Sequence, residues 1–190
     1  FFHGALFLNS ADFTGATFRD AAFFQGATFS TEADFTWASF EEAATFARGV
    51  FLQAATFTEA TFTRGATFAG TGFMREGNFH DATFLGPVDV SGARFEQAAS
   101  FSRATFHHPA TFDQTLFRGP ATFCRTTFLK VASFSSTQFP AGADFQEASF
   151  AGRQAGFGGC IFGGETQFAG RRDEARIEWI FSDAEVDFRN

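Results

Sequence analysis

Phenylalanine recurs in this chain at alternating steps of five and six residues, a spacing that leaves little freedom in what the chain can become. One lane begins at Phe2 and runs through Phe13, Phe24 and Phe35 to Phe145; the other begins at Phe7 and runs through Phe18, Phe29 and Phe40 to Phe150. Together the lanes hold 27 of the 34 Phe, and Val90 alone interrupts them. A period of eleven kept this strictly means a repeat architecture, in which each unit buries its apolar face only against its neighbours.

Two residues before most lane Phe stands Ala, with a small polar residue between, as in Ala16-Thr17-Phe18 and Ala121-Thr122-Phe123. That is in–out–in alternation, a very short strand with Ala and Phe facing a core and Thr facing water. The next positions are polar or Gly (Thr14-Gly15, Gln25-Gly26), which suits a corner. A helix is excluded, because steps of five and six make no stripe on a 3.6-residue cylinder. Pro87, Pro109 and Pro120 share one column, the extra residue of the six-residue step. A corner that needs no ladder N–H tolerates Pro. The chain is therefore expected to coil as an all-β solenoid.

Correlations at a lag of 22 residues choose between a two-sided coil of eleven and a four-sided coil of 22. The outward residue before alternate second-lane Phe is a hydroxyl every time: Thr17, Ser39, Thr61, Thr83, Thr105, Thr127, Ser149. The intervening set (Leu6, Thr28, Val50, Gly72, Arg94, Leu116, Gln138) is mixed. The second corner position separates the same way, into Gly4, Gly26, Arg48, Gly70, Gly92 against Glu59, Asp81, Arg103, Arg125, Glu147. Vertical neighbours are thus 22 residues apart, and the coil has four sides. Inner Thr71, Thr115, Thr126 and Thr137 read as small residues whose hydroxyls bond nearby backbone. At the strand spacing of about 4.8 Å, roughly eight coils make a rod about 40 Å long.

A side with Ala, a small polar residue, Phe and two variable turn residues resembles the pentapeptide-repeat family, from Phe1 to about Phe168. The resemblance implies a right-handed quadrilateral β-helix with a stacked Phe core. The extra residue on alternate sides departs from the family's pattern of fives and implies a slightly larger, rectangular section. The resemblance also implies a non-enzymatic scaffold or protein-interaction module. Some members mimic duplex DNA and bind type II topoisomerases, protecting against gyrase-targeting drugs.

Domain organisation reads as a regular solenoid over 1–168 and an irregular cap or coil excursion over 169–190. The register slips by one after Phe150, and Gly156, Gly158, Gly159, Gly163 and Gly164 mark looser corners or a bulge. Trp179, Ile180 and Phe181 read as part of a cap over the open end, with a homodimer contact through that end as the alternative. A lane residue already stands at position 2, so a fragment of a longer protein is expected. No run of about twenty apolar residues is present, so no membrane span is expected. Cys124, in an outward turn, and Cys160, in the irregular end, read as free thiols of a reducing compartment, the bacterial cytoplasm.

The sequence carries no catalytic constellation, no cofactor loop and no metal spacing. His107-His108 have Leu85-Gly86 and Leu129-Lys130 as coil neighbours, which supply no further ligands. Net charge is −7, with six acids against one base in residues 1–46 but eight bases against six acids in 47–130. A direct nucleic-acid groove is therefore not expected. The candidate interaction surface comprises the acids Asp12, Asp34, Glu41 and Glu42, with Arg19-Asp20 one coil below the Glu pair. An apolar stripe of Leu8, Leu52 and Met74 joins it. The Thr17–Ser149 row raises a minor alternative, ordered water as in ice-binding proteins, although a side this short presents a single row.

Overall fold

The computed structural model describes residues 1–152, 155–168 and 187–188. Its strands are two residues long and parallel, and they stack into four sheets. The first face carries nine strands, from Leu6–Phe7 through Thr28–Phe29 to Ile161–Phe162 and Asp187–Phe188. The second runs from Ala11–Asp12 to Ala143–Asp144, the third from Thr17–Phe18 to Ser149–Phe150, and the fourth from Ala22–Phe23 to Ala155–Gly156, each with seven strands. Register is kept at 22 residues: Thr61 pairs with Ser39 on one side and Thr83 on the other. The expected four-sided coil is present, with about seven turns rather than eight among the described residues.

Inside, each face contributes one column of rings. On the third face Phe62 stacks on Phe40 and Phe84 at centroid separations of 4.7 and 4.9 Å, with planes within 5°. The two first-lane columns meet edge to face across the core, as Phe46 and Phe57 do at 5.2 Å and 83°. Both arrangements are favoured by the ring quadrupole, by about 0.5–1.5 kcal/mol per pair beyond the burial itself. Val90, buried between Phe68 and Phe112 in the fourth column, is the one lane residue without a ring.

The five- and six-residue steps make two kinds of corner. The five-residue corner is hydrogen-bonded: the N–H of Ala60 donates to the carbonyl of Phe57 at 3.0 Å, and the residue before Ala60, Glu59, has φ of 55°. A positive φ at the third position alone is the type II turn pattern. The six-residue corner is open, except after Phe139, whose carbonyl accepts from the N–H of Gly142 at 2.9 Å. There the carbonyls of Pro87, Pro109 and Pro120 accept from the N–H groups of Ala66, Val88 and Ala99 at 3.0 Å each, a role for which Pro needs no N–H of its own. At Gly86 in that corner, a Cβ would run into the backbone carbonyl of Arg64 one coil away.

The inner Thr hydroxyls donate to carbonyls of the coil before, Thr71 to Phe46 at 2.8 Å and Thr137 to Phe112 at 2.7 Å. Cys160 corrects the reading of it as part of an irregular end. It occupies the same inner column of the first face as Thr71, Thr115 and Thr137, fully buried, with its Sγ against the Phe134 carbonyl. The slip after Phe150 is one residue added at a corner, since Ala132 pairs with Ala155 and Gln138 with Ile161. Phe157, Phe162 and Phe168 then stack on Phe134, Phe139 and Phe145 at 4.9, 5.0 and 4.9 Å. The first face is extended by Asp187–Phe188. Trp179, Ile180 and Phe181 lie outside the described residues.

Candidate interaction surfaces

Asp12 and Asp34 are paired neighbours on the second face, as their spacing requires. Their carboxylates have local work. Asp12 accepts from the N–H of Thr14 at 2.9 Å and Asp34 from that of Thr36 at 2.8 Å. Thr14 holds the Asp12 carboxyl below its usual value, through its side chain first and its N–H second. Asn78, Asp89 and Asp144 do the same for His80, Ser91 and Gln146, accepting from their N–H groups at 2.8–3.0 Å. Asx turns of this kind recur wherever the residue before a first-lane Phe is Asp or Asn, which accounts for the acids in these columns without any partner. The sequence carries a matching signal: these columns hold only short polar residues apart from Phe1, Phe23, Gly156 and Gln167.

Glu41 and Glu42 are exposed on the open corner after the third face. Glu42 pairs with Arg64 one coil above, at 3.6 Å, which corrects the expectation of a patch with Arg19-Asp20 below. Leu8 and Leu52, 66% and 41% exposed, lie at the corner after the first face. Met74, half-buried in the same column, folds its Cε over Gly72, where a Cβ would come to 2.9 Å from it. Further along this column Glu96 binds Arg94 at 2.8 Å and Arg118 at 3.5 Å, and its carboxyl is lowered chiefly by Arg94.

A second charged column lies on the corner between the second and third faces. Asp81 pairs there with Arg103 at 2.9 Å, and Arg125 with Glu147 at 3.0 Å. The lag-22 rows expose this column in the sequence; the left-handed backbone of its residues has no such signature. The hydroxyl row Thr17–Ser149 is continuous along the third face. Both cysteines are free. Burial pushes the Cys160 thiol up to about 12, and burial followed by Asp144 raises Cys124. Among the described residues no group of three or more His, Cys, Asp or Glu is placed to hold a metal, and no helix is long and apolar enough to cross a membrane.

Four parallel sheets around stacked rings define a β-solenoid built from short repeats. A profile of the family described as pentapeptide repeats (9 copies) matches residues 2–49, 73–116 and 112–161, and the chain belongs to that family. Among solved structures it is similar to QnrB1, described as a plasmid-mediated fluoroquinolone resistance protein, at 14% identity and a TM-score of 0.50. That match covers 97% of this chain and 91% of the other, and at such identity it speaks to the fold. A comparison with curated proteins finds no match.

Proposed function

We propose that this chain is a non-enzymatic rigid scaffold of the bacterial cytoplasm, a rod whose outward columns bind another protein. The observation that carries this is the division of labour along the repeat. Inward positions are filled almost entirely by Phe, Ala and Thr, while the outward corner columns vary from coil to coil in charge and polarity. A rod closed by its own rings offers convex columns rather than the concave pocket that catalysis needs. Capture from a bacterial extract on the immobilised rod tests the reading. A protein partner retained by the rod, and lost when exposed corner residues are changed, supports it; an extract that leaves nothing bound at saturating rod contradicts it.

A topoisomerase-binding DNA mimic is the second reading, favoured by the likeness in fold to a fluoroquinolone resistance protein. Charge argues against it. Duplex DNA carries one charge per about 1.7 Å, so a rod of about 40 Å would need about two dozen. This chain has a net charge of −7, and its central bases interrupt the acids. The expected result is no inhibition of gyrase supercoiling by micromolar protein. Inhibition that vanishes when Asp12, Asp34, Glu41 and Glu42 are reversed would promote the mimic over the scaffold.

A further inference from the structure

Five successive coils place a charged residue on the edge between the second and third faces: Glu59, Asp81, Arg103, Arg125 and Glu147. All five adopt left-handed backbone, with φ between 55° and 61°. Glycine is the unstrained choice there, and other residues cost about 1–2 kcal/mol. The opposite hydrogen-bonded edge makes the same turn and uses Gly4, Gly26, Gly70, Gly92 and Gly159 beside Arg48, Gln114 and Ser136. Turn geometry is common to both edges, so it does not explain the difference. The charged edge differs in keeping a side chain, against its conformational preference, in six successive coils from Trp37 to Glu147.

Over the four central coils the order along this edge is acid, acid, base, base. The flanking columns are uncharged apart from a histidine: Thr58, His80, Ser102 and Cys124 on one side, Thr61, Thr83, Thr105 and Thr127 on the other. A two-fold axis crossing the edge midway between Asp81 and Arg103 would set Asp81 against Arg103 of a second copy and Glu59 against Arg125. A parallel, in-register alignment would set like on like at every coil. Trp37, 59% exposed, occupies the same column one coil beyond Glu59, so the two-fold arrangement carries an aromatic at each end of the contact.

We infer that this edge is a self-docking surface through which two copies associate side by side and antiparallel. The proposal rests on the reading of the rod as an interaction scaffold and names its partner as a second copy of the chain. The contacts within one copy, His80 and Arg103 on the two oxygens of Asp81 and Arg125 on Glu147, do not oppose it. A carboxylate has about four acceptor sites and a guanidinium about five donors, so a group bonded along the rod can also bond across it. A single edge buries less than the roughly 1,000 Å² of a robust interface, so the association is weak and dominated by charge. It is also antiparallel by repulsion as much as by attraction.

Sedimentation velocity over a concentration series, at about 20 mM and about 500 mM NaCl, tests the inference. Two double variants accompany the wild type: Arg103→Glu with Arg125→Glu, and Glu59→Arg with Asp81→Arg. Glu and Arg both already occupy this corner, and thermal melts check that the variants fold. The wild type is expected to dimerise at low salt. Either double variant alone, or the higher salt, should weaken the dimer by about tenfold or more. An equimolar mixture of the two variants should associate again, as a heterodimer. A wild type that stays monomeric at low salt, variants that dimerise as the wild type does, or a mixture that fails to associate would each overturn the proposal. A monomeric rod that still captures a partner from extract would overturn the edge dimer and leave the scaffold reading standing.

Discussion

Phe106 lies between Phe84 and Phe128 with ring centroids 4.7 and 4.8 Å away, while Thr105 beside it faces outward. Phe106→Ala should therefore cost about 3–5 kcal/mol, because stacked coils cannot collapse into the space a ring leaves. Thr105→Ala should cost less than about 1 kcal/mol. Urea melts of the two variants check this, and comparable losses would mean the faces are inverted. The inner Thr are legible in the sequence because they replace Ala in a fixed column, and a buried hydroxyl there has only backbone to bond. Cys160 is not legible in that way. Its Cys-Ile-Phe triplet keeps the in–out–in pattern, but the one-residue insertion after Phe150 hides its column. Its thiol is raised from 9.0 to about 12, so the stability it contributes is complete below pH 9 and lost as pH rises from 9 to about 12. Cys160→Thr, matching Thr71, Thr115 and Thr137, should flatten the fall of the urea midpoint over that interval. An unchanged alkaline slope would show that this thiol is not what titrates.

At the scale of the coil, the two corners answer to different physics. Gly70, with φ of 66°, has only the Arg48 side chain within reach of a Cβ added there, at 3.7 Å, so Gly70→Ala tests conformation rather than space. It should cost about 1 kcal/mol, and Gln114→Gly, at φ of 57° on the same edge, should return a stabilisation of similar size. Thermal melts of the two variants should move in opposite directions; shifts of the same sign would deny that the left-handed turn sets the preference. The sequence displays these corners as Gly or polar positions, yet nine non-glycine residues among those described adopt positive φ. Tertiary stacking imposes the turn there whatever the local preference, and propensity alone cannot show that. The Asx turns at Asp12 and Asp34 show in the sequence only as columns of short polar residues: an acid on a surface column suggests a partner, whereas its nearest donor is the N–H two residues ahead.

For the whole molecule, the four-sided coil is readable from the repeat alone, because strict periodicity ties every Phe column to its neighbours 22 residues away. Function is less readable, since the same periodicity fixes the inward positions and the outward hydroxyl row, while the corner columns that distinguish one rod from another vary from coil to coil. The ring columns, the paired acids and the charged edge all follow from the 22-residue stacking. Nuclear Overhauser contacts in the folded chain measure that stacking most directly. Cross-peaks are expected from the Thr61 and Phe62 backbone to Thr83 and Phe84, matching their parallel pairing, and to Ser39 and Phe40 on the other side. Inter-strand contacts from Phe62 to Phe73 in place of Phe84 would mean eleven-residue coils and contradict the four-sided rod.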